Sequence, residues 1–201
     1  MDKRRSCLIY VPIIHSQEDM GTLGGRLPIT EAYRRLAQNR WAEIQDQVQA
    51  LSLDWPKVKV YQDGLPDAGP EVVKRILAEA RGANYDLLRW LVAQGAEVVG
   101  TESPALVQEE YELLKAVYAP TDAVATAKAR RRYAERAPVL LAERDAYIAR
   151  RIADTLPPGG VGVLFLGEAH RVFEQLPQDI AVEKLPYRRG AQKARPESLR
   201  K

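Results

Sequence analysis

The chain has 201 residues, a little more than one ordinary domain, and its 46% hydrophobic and 28% charged residues are typical of a globular protein. This composition excludes collagen-like, low-complexity and wholly disordered proteins. Because Cys7 is the only cysteine, neither an intramolecular disulfide nor a cysteine-based zinc site is possible, which favours the reducing cytoplasm. No run approaches the ~20 apolar residues that a membrane span needs, so we expect no membrane partner.

The formal charge of +3 is unevenly distributed along the chain. Six basic residues and one acidic residue lie from Tyr187 onward, a net charge of +5, so residues 1–186 carry a net charge of −2. We interpret residues 187–201 as a basic, disordered and solvated tail. Nucleic acid, which such a tail could bind, is the less favoured partner.

The first part of the chain predicts a strand, a loop and a helix. The apolar, β-branched run Cys7 to Ile14 is typical of a buried strand, and it ends at His15. The polar, glycine-rich segment 16–28 predicts a long loop. From the N-cap residue Thr30 to about Leu53, apolar residues recur in steps of three and four, which predicts a helix.

The middle of the chain predicts two strands and three helices. Val58 to Tyr61 alternates like a strand with one exposed face near a sheet edge. Helices are predicted over residues 70–80, 84–94 and 104–117. The short strand Glu97 to Gly100 directly follows the second of these helices. This succession is the returning half of a β-α-β unit, so it predicts a parallel sheet.

The last part of the chain predicts helical structure followed by two strands. The helical stretch 122–156 contains Pro138, which predicts that a second helix begins there. The apolar run Val161 to Leu166 is typical of a buried strand, and 180–185 predicts a weaker one. Together these elements predict a single α/β domain over residues 1–186, with a largely parallel central sheet flanked by helices.

The chain has two histidines, and each follows a strongly apolar strand. His15 comes after the first predicted strand and His170 after the strand ending at Leu166. Loops at the carboxyl ends of parallel strands form the ligand-binding crevice, so we expect the two imidazoles to share a site. Glu102 follows a third strand and Glu168 lies two residues before His170, which predicts carboxylates at the same edge.

Imidazoles and carboxylates in one crevice support two kinds of chemistry. They can bind a divalent metal ion, with His15, His170 and Glu102 as the candidate ligands. They can also act as general base and general acid without a metal. The chain lacks the fixed ligand spacing of a zinc-protease helix, so both interpretations stay open.

Two charged residues interrupt the apolar ridge of the helix after Pro138. The ridge runs through Leu140, Arg144 and Ile148 in steps of four, with Asp145 beside it. Burying a guanidinium or a carboxylate without a partner costs several kcal/mol. Arg144 therefore pairs with Asp145 and the cap region, or faces a polar cleft where it would stabilise a substrate oxyanion, or lies solvated at the rim of the ridge.

The segment Glu143 to Ile152, the strand after it and Gly167-Glu168-Ala169-His170 resemble the carboxyl-terminal half of the TraB/PrgY/GumN and Tiki family. In that family, an Arg-Asn or Arg-Asp helix precedes a strand and a Gly-x-x-His motif. Another Gly-x-x-His motif ends the family's first strand, where His15 stands here with Pro12 in place of the glycine. An acidic residue ends a middle strand, as Glu102 does here.

The resemblance implies the fold of the erythromycin esterase and ChaN-like (EreA/ChaN-like) superfamily, which includes metal-dependent peptidases, metal-free esterases and haem-binding proteins. It implies a hydrolase that activates water on a peptide or ester bond of a peptide or small-molecule substrate. The catalytic candidates are His170, His15, Glu102, Arg144 and Glu168. The alternative is a non-catalytic protein that binds a small ligand, haem or a metal ion in the same cleft.

Overall fold

The computed structural model describes residues 5–16, 25, 29–119 and 122–185. The strands are β1 (Ser6–Ile13), β2 (Val58–Gln62), β3 (Glu97–Val99), β4 (Val161–Gly167) and β5 (Ile180–Lys184). The helices are α1 (Glu31–Gln49), α2 (Pro70–Glu79), α3 (Ala83–Ala93), α4 (Pro104–Tyr118) and α5 (Ala123–Thr155). Most of the predicted loop 16–28 and all of the predicted tail 187–201 lie outside the described residues.

The five strands form one parallel sheet in the order β3-β2-β4-β1-β5. The register places Ile13 of β1 opposite Gly167 of β4, so these two strands end at the same level. The predicted α/β class, with a parallel sheet flanked by helices, is confirmed. All strands point the same way, and the residues that follow them therefore meet at one edge of the sheet.

The side chains of β1 alternate between two helical layers. Ile9 packs in one core cluster with Trp41 and Ile44 of α1. Leu8 packs in a second cluster with Ile148 of α5 on the opposite face of the sheet. This period-2 alternation buries both faces of the strand, which explains why its sequence is continuously apolar.

Strand β2 differs from its prediction in one respect. It lies one position in from the edge, between β3 and β4, and it has no open face. Val60 packs in the cluster on the α1 side and Tyr61 in the cluster on the α5 side, both with 0% exposure. The alternation that predicted an exposed face arises from Lys59, whose side chain is 23% exposed and pairs with Glu97 of β3.

The prediction that a second helix begins at Pro138 is wrong, because α5 is a single helix of 33 residues with this proline inside it. Contacts on both sides of the proline hold the helix together. Arg136 donates to Glu143, beyond the proline, at 2.6 Å and to Glu109 of α4 at 2.7 and 2.9 Å. Among the helices of the described ranges, α5 included, none carries an apolar stretch that could span a lipid bilayer.

Candidate active site

Five buried polar residues lie together at the carboxyl edge of the sheet, and we call them the carboxyl-edge cluster. Each is at most 7% exposed. One follows β2, one lies past the end of β3, two lie on α5 and one lies in the turn after β4: Asp63, Glu102, Arg144, Asp145 and His170. The parallel sheet and the helix that covers it thus bring together residues that are distant in the chain.

Arg144 lies among the carboxylates of the cluster. Its Nε donates to Glu102 Oε2 at 2.8 Å and its Nη2 to Asp63 Oδ1 at 2.9 Å. Nη2 also donates to Glu102 Oε1, and Nη1 donates to Glu110 of α4. Four of the five N–H groups of the guanidinium are therefore taken up by carboxylates. The interpretation as a solvated rim residue is wrong, and Arg144 positions the carboxylates.

Asp145 holds the ring of His170. Its Oδ1 lies 2.5 Å from Nδ1 of His170, and its Oδ2 accepts the backbone N–H of Arg171 at 2.8 Å. With a carboxylate as acceptor, Nδ1 carries the proton of a neutral ring and Nε2 keeps its lone pair. That Nε2 faces Oδ2 of Asp63 at 3.6 Å. Histidines that bind metals or transfer protons are oriented in this way.

His15 lies on the open side of the cluster. Two side chains of α1 hold its loop, because Tyr33 donates to the backbone oxygen of His15 at 2.8 Å and Trp41 Nε1 donates to that of Ile14 at 3.1 Å. Its Nε2 lies 3.5 Å from Asp63 Oδ2, and its side chain is 44% exposed. Both imidazoles thus approach the same oxygen. The two Nε2 atoms can be no farther apart than the sum of their distances to this oxygen, about 7 Å.

Gly167, the first residue of the Gly-x-x-His segment, allows this close approach. Its N–H donates to Asp63 Oδ2 at 3.0 Å. A Cβ atom at this position would lie 3.2 Å from the same oxygen and 3.7 Å from Cδ2 of His170. Any larger residue would therefore crowd the carboxylate between the two histidines.

The electrostatics of the cluster shift the pKa values of Asp63, Glu102 and His170. Burial raises the pKa of Asp63, but the contacts with His15, His170 and Arg144 outweigh burial and hold this pKa well below its usual range. Burial and the charge of Asp63 raise the pKa of Glu102, and the contact with Arg144 limits this rise. Burial lowers the pKa of His170, but the carboxylates of Asp145 and Asp63 outweigh it, so the pKa is raised.

The residues of the cluster fit a metal ion. Ligand atoms of Asp63, Glu102 and His170 lie within 4.8 Å of one another, so this buried group could hold a metal ion. Three carboxylates and one guanidinium give the cluster a formal charge of −2 when His170 is neutral and −1 when it is protonated. Buried charge without compensation costs several kcal/mol per ion. A divalent cation would cancel this charge.

The structure brings most of the predicted residues together. His170, Glu102 and Arg144 belong to the cluster, and His15 borders it. Glu168 does not belong to it, because its side chain is exposed in the turn after β4. Asp63 was not predicted, although it directly follows β2 and the strand-end rule that selected His15 applies to it equally.

Asp145 was predicted only as a neighbour of Arg144, and its contact with His170 was not foreseen. The two residues are 25 positions apart, and nothing in the local pattern of either segment indicates that they touch.

No protein-family model matches this chain, and comparisons with curated proteins and with solved structures found no match either.

Proposed function

We propose that this protein is a metal-dependent hydrolase that activates water on an ester or peptide bond at the carboxyl edge of its sheet. The observation that carries the proposal is the buried donor set of Asp63, Glu102 and His170, with its excess negative charge, beside the half-exposed His15. A closed structural site would have no such open side, whereas a catalytic site needs one for water and substrate.

Three atoms of this set have a lone pair to offer a cation. Oδ2 of Asp63 accepts a hydrogen bond from the N–H of Gly167 and also faces Nε2 of His15, and Oε2 of Glu102 accepts a hydrogen bond from Arg144. Nε2 of His170 is the third. A divalent ion bound there would lower the pKa of a coordinated water toward neutral pH.

The other residues position these ligands or handle the proton. Asp145 orients the His170 ring, and Arg144 holds Glu102 and Asp63. His15 faces solvent beside Asp63, so it is placed to accept the proton that water loses. In a metal-free mechanism Arg144 would have to stabilise the oxyanion, but carboxylates already occupy most of its donors. The metal-dependent version is therefore the better supported one.

The test combines metal analysis with an activity assay. The full chain is loaded separately with Zn²⁺, Mn²⁺ and Mg²⁺, its bound metal is measured by mass spectrometry, and the hydrolysis of p-nitrophenyl esters and of labelled peptides is followed. We expect one bound ion per chain and turnover that stops on chelation. His170→Ala should lose the ion and lower kcat at least about 100-fold.

Asp154→Asn is the matched control, because Asp154 is exposed on the same helix as Asp145 and lies outside the cluster. It should keep both the ion and the activity. A bound ion without hydrolysis of any substrate would instead support the alternative of a metal-binding protein. Full activity in His170→Ala, on any substrate that the wild type hydrolyses, would refute the assignment.

A further inference from the structure

A small cavity of about 190 Å³ lies between α1 and the start of α3. Two residues of α1, Ala37 and Trp41, are each 2% exposed and form its buried part. The other lining residues are Ser16, Ile29, Tyr33, Arg34, Gln38, Gly82 and Ala83. Apolar atoms form the larger part of the lining and polar atoms the rest, and the cavity lies outside the carboxyl-edge cluster.

The cavity lies beside the loop that carries His15. Ser16, one of its wall residues, is the next residue in the chain. Two further wall residues hold the same loop, since Tyr33 donates to the backbone oxygen of His15 and Trp41 to that of Ile14. Because the hydroxyl and the indole N–H are paired with the backbone, the two rings offer apolar surface to the cavity. A group that fills it therefore lies on the side of the cluster where His15 is placed.

We infer that this cavity binds a small apolar group of the substrate next to the bond that is cleaved. The inference rests on the proposed function for the position of that bond. At ~30 Å³ per water molecule, the cavity has room for about six waters, or for an apolar group of about four to six non-hydrogen atoms. A leucine side chain or a butyryl chain meets this description.

The cavity therefore gives the enzyme a size preference. A methylene group in an apolar pocket changes kcat/KM by about 10- to 200-fold. Esters of butyrate should be hydrolysed at least about 10-fold more efficiently than esters of acetate, and peptides with leucine beside the cleaved bond should be preferred over those with glycine.

Binding can be measured without turnover, because Trp41 forms part of the cavity wall. The chain has three tryptophans, and the other two, Trp55 and Trp90, contact each other with ring centroids 5.9 Å apart and do not line the cavity. We expect N-acetyl-L-leucinamide to shift the indole N–H signal of Trp41 in a ¹⁵N-correlated NMR spectrum in a saturable manner. The signals of Trp55 and Trp90 serve as internal controls, and N-acetylglycinamide serves as the ligand control.

Two variants reduce the cavity. Ala37→Leu fills the buried part of the cavity. Ile29→Phe narrows the cavity at a half-buried position, where a larger side chain disturbs folding less. Each should weaken the binding of N-acetyl-L-leucinamide at least about 10-fold. Each should also lower kcat/KM for p-nitrophenyl butyrate about 10-fold or more and leave the value for the acetate within about 3-fold.

The outcomes separate the pocket from the proposed function. An unmoved Trp41 signal, or equal shifts of all three tryptophans, would overturn the pocket even in an active hydrolase. An unchanged butyrate preference in Ile29→Phe, with a native spectrum, would overturn it as well. A saturable Trp41 shift in a protein that hydrolyses nothing would support the pocket and reject the hydrolase.

Discussion

At the scale of single residues, the two histidines of the site differ in how they are held. His170 is buried and hydrogen-bonded to Asp145, whereas His15 is half-exposed on a loop. Asp63 links them, because its Oδ2 is the nearest carboxylate oxygen to both Nε2 atoms. The buried histidine is therefore suited to hold a ligand, and the exposed one to exchange protons with water.

Replacing His15 by alanine should separate these roles. His15 does not belong to the group whose ligand atoms lie within 4.8 Å of one another, so His15→Ala should retain the bound ion. Losing a general base should lower kcat by about 100-fold. Metal analysis and kcat measured on the same preparation check this. Loss of the ion in His15→Ala would show instead that His15 is a ligand, as the family resemblance implies.

The strand-end rule explains which site residues could be predicted. His15, Glu102 and His170 each follow a strand recognisable from its apolar residues, and they do converge. The same rule applies to Asp63, which directly follows β2, but β2 is less apolar than β1 and β4 and its sequence indicates a half-exposed strand near the sheet edge, so Asp63 was not selected. Glu168 lies in the same turn as His170 but is exposed outside the cluster, which spacing alone does not specify, and its catalytic role stays a prediction.

At the scale of elements, α5 shows how packing overrides a local signal. A proline inside a helix lacks the N–H that would bond the preceding turn, so a helix boundary was the reasonable prediction. The helix nevertheless continues through the proline, and the ion pairs of Arg136 with Glu143 and with Glu109 of α4 lie on both sides of it. The apolar ridge and the two charged residues that interrupt it could be predicted from the sequence, because periodicity is a local property. The contacts with α4 are long-range and could not be predicted.

Pro138 is exposed, so its replacement by alanine should stabilise the protein. Pro138→Ala restores a backbone hydrogen bond to Ala134 and removes a helix-breaking residue, although proline also restricts the unfolded chain. We expect the free energy of unfolding to rise by about 1–2 kcal/mol, measured by urea denaturation. Val139→Ala, at a neighbouring position that is 52% exposed, is the control and should change it by less than about 0.5 kcal/mol. A loss of stability in Pro138→Ala would mean that the contacts with α4 require the proline.

At the scale of the whole molecule, the parallel sheet brings residues from distant parts of the chain together at one edge. Arg144 and Asp63 are 81 residues apart in the chain and 2.9 Å apart in space. The cluster joins β2, the end of β3, β4 and α5, so it can form only when the sheet has assembled. The fold class was predictable because it depends on the alternation of apolar strands and helices, whereas this convergence depends on the assembled sheet.

The carboxyl-terminal segment should contribute little to this assembly. Leu185 is 6% exposed and its N–H donates to Tyr10 of β1, so the core extends to this residue. Beyond Tyr187 the sequence is polar and basic with Leu199 as its one large apolar residue. Deleting residues 188–201 should change the free energy of unfolding by less than about 1 kcal/mol in urea denaturation. A larger loss would mean that this segment packs against the domain.

Cation binding, in contrast, should stabilise the entire fold. The ligands Asp63, Glu102 and His170 come together only in the folded chain, so an ion bound there favours the folded state by mass action. At a concentration 100 times the Kd, the free energy of unfolding should rise by about 2.7 kcal/mol. For a chain of this size, that corresponds to an increase in Tm of about 5–10 °C.

Calorimetry with and without the ion that the metal analysis identifies measures this shift. Asp63→Asn keeps the shape of the side chain but removes one ligand charge, so its Tm should no longer respond to the ion. Asp154→Asn should respond like the wild type, because that carboxylate is exposed and remote from the cluster in the fold. Equal shifts in all three proteins would place the ion elsewhere on the surface. The excess negative charge at the carboxyl edge would then be balanced by protons on His170 and Glu102, whose pKa values are both raised.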